Sequence, residues 1–296
     1  MDRLELAILR TVLYADIFSF PMTIPEIHHF LIHDTPVQLN DIEYALANSP
    51  VLKQRLMTIQ GYVVCNGHED LVPLRLERER SFQQLWPRAL HYGVWLSRLP
   101  FVRMVALTGA LAMRNAASSQ DDLDYLLVTA PHRVWLARLR GVEICPNYIV
   151  AESALEQQRR DLFIAHEVAQ MVPLYGFDLY RRMRASNAWV DAHLPNAERM
   201  FHEIDEYLPG SFWTSTKRFL EVLLSTRIGD LLETWEYRRK LRRFAPEIQK
   251  SHDAARLDLQ QIKGHFNDHG QPVLSKYQER LRQYGLEDAP ALAPGD

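Results

Sequence analysis

The sequence has only two cysteines, Cys65 and Cys145, far apart in a chain of 296 residues. Neither a disulfide framework nor a cysteine-based zinc spacing is available, and a reducing cytoplasm is the expected setting. There is no excess of charge of one sign. With 34 Lys and Arg against 37 Asp and Glu, the formal charge is −3, which excludes a whole-protein positive field and leaves only local patches as contacts for nucleic acid or anionic lipid. There is no uninterrupted apolar run of membrane length. The most apolar stretch, 94–113, is broken by Arg98 and Arg103, and the start MDRLELAILR lacks the basic-then-apolar order of an export signal, so neither export nor a membrane partner is expected. No internal repeat is present. What remains, 47% hydrophobic and 24% charged residues with 12 Gly and 16 Pro, is the composition of a packed globular chain, long enough for about two domains.

Apolar residues Leu4, Ile8, Leu9, Val12, Leu13 and Ile17 recur at helical spacing and predict a first helix that ends before Pro21. Thr23-Ile24-Pro25-Glu26 has the form of a capping box, with proline where its missing N–H costs nothing. A third helix opened by Asn40 or a neighbour and running through Ile42, Leu46 and Ala47, and two short strands, 56–59 and 62–65, complete three helices plus a hairpin, the winged-helix order. Long helical periodicity follows over 71–99. Then come three β-prone runs, 102–107, 125–128 and 142–150, with helix-compatible segments between them, the alternation of an α/β sheet. Beyond Ser153 the pattern reads helical almost to the end, with helices over 154–172, 176–185, 214–232 and 274–283, and the Pro-Ala-acidic stretch from Glu287 reads as a tail. The fold class expected is therefore α+β and mostly helical: a winged-helix module (1–70), a connecting helix (71–100), a small mixed-sheet core (101–153), a helical C-terminal domain (154–285) and a tail (286–296).

The chemistry-bearing segment is Val105-Ala-Leu-Thr-Gly109-Ala110, followed by Asp122-Leu123-Asp124-Tyr125. Residues two apart on a strand share a face, so Asp122 and Asp124 would stand side by side while Leu123 packs inward. Two adjacent carboxylates repel, and a hard divalent cation such as Mg²⁺ relieves that repulsion through oxygen ligands. Gly109 lets the backbone approach a phosphate where a β-carbon would obstruct.

These residues resemble the nucleotidyltransferase superfamily typified by DNA polymerase beta and the aminoglycoside nucleotidyltransferases. Its signature is a strand ending in Gly-Ser or Gly-Gly, a helix, and a strand beginning Asp-x-Asp, with a third acid on a later strand. Gly109 matches the glycine, and Asp122 and Asp124 match the pair. Ala110 stands where the family has Ser or Gly, which leaves Thr108 as a substitute hydroxyl. For the third acid, Glu143 in Val142-Glu143-Ile144 fits best, with Glu152 as the rival and a site without a third acid as the remaining alternative. The resemblance covers about 102–150 and implies an NTP substrate, Mg²⁺ (or Mn²⁺) held by Asp122, Asp124 and Glu143, nucleotide contacts at Thr108, Gly109 and Ala110, and transfer of a nucleoside monophosphate to an acceptor hydroxyl on a protein, RNA or small molecule. The alternatives from other classes are a degenerate member of the fold that binds without turnover and a winged-helix DNA-binding regulator.

Other motifs carry less. His166-Glu167-Val-Ala-Gln170 lacks the second histidine of the zinc-protease helix, and the pairs His29/His33 and His265/His269 have no third ligand at similar spacing. The third helix contains Asp41 and Glu43 but no Lys or Arg, the wrong sign for DNA phosphates. The basic run 238–243 reads as a solvated helix face or a patch for an acidic partner, and Trp189, Trp213 and Trp235 read as core anchors.

Overall fold

The computed structural model describes residues 1–137, 148–151, 160–197, 204–248, 261–263 and 270–286. The chain is α+β and mostly helical. Its elements run α1 (Arg3–Asp16), β1 (Met22–Thr23), α2 (Ile24–His29), α3 (Leu39–Asn48), α4 (Pro50–Lys53), β2 (Leu56–Ile59), β3 (Tyr62–Cys65), α5 (Leu71–Ser97), β4 (Val102–Leu107), α6 (Gly109–Ala112) and β5 (Tyr125–Thr129). They continue as β6 (Tyr148–Ala151), α7 (Leu162–Ala169), β7 (Val172–Tyr175), α8 (Phe177–Ser186), α9 (Ser211–Leu224), α10 (Arg227–Ile248), β8 (Gln261–Lys263) and α11 (Gly270–Gln283).

Local chemistry sets the first elements. Asp2 and Glu5 form a reciprocal capping box on α1, and Thr23 and Glu26 form the second on α2: the Thr23 N–H donates to Glu26 Oε2 at 2.7 Å and the Glu26 N–H to Thr23 Oγ1 at 3.4 Å. The other Glu26 oxygen accepts from Arg75 Nη2 of α5 at 2.7 Å. Arg75 is fully buried and also bonds Glu79, with its guanidinium 4.0 Å from the Phe20 ring centroid. Strands β1, β3 and β2 form a small antiparallel sheet in that order.

The larger sheet has the order β7-β4-β5-β6-β8. Among the described residues only its β5–β6 pairing is parallel. Every residue of β5 is buried, which explains why it reads as a continuous apolar run rather than an alternating one. Met104, Ala106, Leu126 and Val128 face one core with α1, α2, α7 and α11, while Val105, Leu107, Tyr125 and Leu127 face a second core with α5 and Trp135.

The structure corrects the helical reading beyond Ser153. Residues 172–175 form β7 on the edge of the sheet, pairing with β4, and 261–263 form β8 at the other edge. Pro173 concealed β7, yet an edge strand tolerates the missing N–H. The single helix expected over 214–232 is two, interrupted at Ser225 and Thr226. Of the run 142–150 only 148–150 is described, within β6. Among the described residues, no helix is long and apolar enough to cross a membrane.

Candidate functional site

The Gly109 and Asp124 segments meet because β4 and β5 are antiparallel neighbours, with Leu107 opposite Tyr125. The Thr108 N–H continues this ladder by donating to the Asp124 carbonyl at 2.9 Å. Gly109 then turns with φ +69°, and a β-carbon there would overlap Asp124 Oδ2. The glycine is required twice, for a left-handed backbone and for the carboxylate that lies against its α-carbon. Ala110 is exposed, and the Thr108 hydroxyl makes no capping bond to α6.

Asp122 is exposed, Leu123 is buried in the second core, and Asp124 is half-buried. All three precede β5, which begins at Tyr125. The paired acids therefore lie just ahead of the strand rather than on it, with the Asp124 carbonyl joined to Thr108. Burial, and then the charges of Asp122 and Asp121, push the Asp124 carboxyl up to about 6. Asp121 closes the loop between α6 and β5, where its carboxylate accepts from the Ala117 N–H and, at 3.1 Å, from Ser118 Oγ.

Two further residues shape this end of the sheet and were not legible as a motif. The Asn115 N–H donates to the Ala110 carbonyl at 2.8 Å, tying the chain after α6 back to the turn. Its side-chain oxygen accepts from Arg78 Nη1 of α5 at 2.8 Å, and the same guanidinium nitrogen donates to the Ser19 carbonyl at 2.8 Å. The long separation between Arg78 and the turn in sequence explains why spacing gave no sign of it. Glu143, its rival Glu152 and Cys145 lie outside the described residues.

No family model, curated protein or solved structure matches this chain. The carboxylate cluster therefore rests on its own geometry.

A second cluster brings Asp16, Cys65 and His68 together, with one potential ligand atom from each within 4.8 Å of the others. Its mixed oxygen, sulfur and nitrogen donors are not the all-oxygen set that suits Mg²⁺. Asp16 Oδ1 is 2.6 Å from His68 Nδ1, and Oδ2 is 2.8 Å from the Arg280 guanidinium. Burial, followed by the Asp16 charge, pushes the Cys65 thiol up to about 11, which keeps it protonated at neutral pH. These contacts make a clasp between α1, the end of β3 and α11.

His29, His33 and His166 bond the backbone. His29 Nε2 lies 3.2 Å from the Ala169 carbonyl, His33 Nδ1 2.7 Å from the Thr35 carbonyl and His166 Nδ1 2.9 Å from the Leu162 carbonyl, while Gln170 bonds Glu167. The pair His265/His269 lies outside the described residues. Trp189 is half-buried and Trp213 packs over the Arg98 guanidinium, but Trp235 is 56% exposed and anchors no core. On α3, Asp41 and Glu43 face solvent.

Proposed function

We propose that the chain is a nucleotidyltransferase of the polymerase-beta type, with a winged-helix module ahead of the catalytic sheet, transferring a nucleoside monophosphate from an NTP to an acceptor hydroxyl. The observation that carries the reading is the Asp124 carboxylate lying against the α-carbon of left-handed Gly109, beside Asp122 and Asp121. Asp124 is half-buried with the charges of Asp122 and Asp121 beside it, and these donors are all oxygen, the chemistry that suits Mg²⁺. Asp122 and Asp124 would hold the ion, with Glu143 as the proposed third acid. When bound, the ion would neutralise charge developing on the entering and leaving phosphate oxygens.

The chain's own residues supply orientation. Gly109 leaves room for a phosphate beside the turn, and Thr108 offers a hydroxyl where Ala110 has none. Asn115 holds the Ala110 carbonyl, and with it the turn, against Arg78 of α5. In the transfer, the acceptor oxygen forms a bond to the α-phosphorus as the bond to the pyrophosphate oxygen breaks, and a carboxylate takes the acceptor's proton.

Calorimetric titration of ATP, GTP, CTP and UTP, with and without Mg²⁺, tests this. Mg²⁺-dependent binding of at least one nucleotide, lost in Asp122→Asn/Asp124→Asn with folding retained, is expected. No binding by folded wild type would sink the proposal. The methyl group of Ala110, in place of a phosphate-binding hydroxyl, favours one second reading, a nucleotide-binding protein without turnover. Nucleotide binding without pyrophosphate release in the presence of protein, RNA and small-molecule acceptors would select it. The exposed acids of α3 support a structural or protein-contact role for the N-terminal module over DNA binding.

A further inference from the structure

Helices α9 and α10 each bury charged side chains and expose apolar ones. α9 buries Lys217, whose Nζ donates to the Ser97 and Val102 carbonyls at 2.8 and 2.6 Å. Its neighbour Glu221 accepts from the Phe101 N–H at 2.6 Å and from Arg103 at 2.7 Å. α10 buries Glu233, which accepts from the Trp135 and Leu136 N–H groups at 2.8 Å each. Lys217, Glu221 and Glu233 thus face the protein, while a row of apolar side chains on each helix faces outward. Phe212, Phe219 and Val222 of α9, with Ile228, Leu231 and Trp235 of α10, each leave 56–70% of their surface open. Their spacings, 212/219/222 and 228/231/235, mark one outward stripe on each helix.

We infer that the outward face of α9 and α10 is an interface between two copies of this chain. These six side chains open on the order of 700 Å², more than the roughly 300–600 Å² of the largest apolar patch on a typical monomer and close to the ~800 Å² each partner gives a standard interface. The basic run 238–243 continues α10 beyond Trp235, so an anionic bilayer is the rival occupant that the test must separate from a second copy. The face lies at the start of β4, and Gly109 follows its far end, so a second copy leaves the carboxylate cluster open.

Sedimentation velocity of the full chain from about 1 to 100 µM, with anionic vesicles in a second series, tests the interface. A wild-type dimer is expected, with Phe219→Glu and, independently, Leu231→Glu raising its dissociation constant at least ~100-fold while circular dichroism is unchanged. A wild type that stays monomeric throughout, a dimer that survives both substitutions in folded protein, or a monomer that binds vesicles through this face would each overturn it.

Discussion

At the scale of the residue, Gly109 and Asp124 constrain one another. Gly109→Ala imposes a left-handed backbone on a residue with a β-carbon, costing about 1–2 kcal/mol, and drives that carbon into the Asp124 carboxylate. A lower melting temperature and loss of Mg²⁺-dependent nucleotide binding are the expected outcome. Asp124 itself titrates from 3.8 in the unfolded chain to about 6 in the folded one. The folded state therefore holds the extra proton between those values, and the group's contribution to stability is lost as pH rises through that window. Asp124→Asn is expected to abolish Mg²⁺-dependent nucleotide binding in calorimetry while circular dichroism shows the fold retained. In the wild type, Mg²⁺-nucleotide affinity is flat above about pH 7 and falls about tenfold per unit below pH 6 as the proton competes with the ion, a profile calorimetry can follow. The meeting of Gly109 with Asp124 was legible in the sequence because adjacent antiparallel strands bring a short interval of chain back on itself. Arg78 and Asn115 were not, because α5 reaches the turn only through packing.

At the scale of the element, the helices fixed by their own side chains were the legible ones. The Thr23/Glu26 box marks α2 without reference to the rest of the protein, whereas β7 exists only because β4 is there to pair with it. The outward faces of α9 and α10 were equally hidden, since periodicity reveals an apolar stripe but not which way it points. Arg75, fully buried on α5, ties that helix to α2 through Glu26 and bonds Glu79 one turn along. Arg75→Met leaves Glu26 buried without its cation, and a loss of about 3–5 kcal/mol is expected in urea titration. Adding Glu26→Gln recovers part of that loss, since the amide oxygen still reaches the Thr23 N–H and no charge is stranded. On α7, His166 stacks on Tyr14 at 4.0 Å and is pushed down to about 4, chiefly by burial. The unfolded chain takes up a proton below pH 6.5 that the folded chain refuses until about 4, so this group makes stability fall as pH falls across that interval. His166→Phe removes the slope, seen as a smaller shift in urea midpoint between about pH 6.5 and about pH 4.5.

At the scale of the whole molecule, the sheet depends on both halves of the chain. The face formed by Met104, Ala106, Leu126 and Val128 is covered by α1 and α2 from one side of the sequence and by α7 and α11 from the other. Asn196 links them further, accepting from the Val37 N–H at 3.0 Å and donating to the His28 carbonyl at 2.9 Å. Deleting residues 1–70 therefore uncovers a sheet face rather than removing an appendage. The truncated chain is expected to aggregate and to lose its cooperative melting transition, whereas a chain that melts cooperatively would show that the sheet needs no such cover. The closure is completed by α11, where Tyr277 Oη donates to the Arg10 carbonyl at 3.4 Å and Arg280 reaches Asp16. On a ribosome adding roughly 5–20 residues per second, α1 emerges on the order of 10–50 s before the helix that seals it. Throughout that interval the nascent chain offers Leu9, Leu13 and Tyr14 to whatever binds apolar segments at the tunnel exit, so its yield in a cell depends on chaperone supply and translation speed as well as on its final stability.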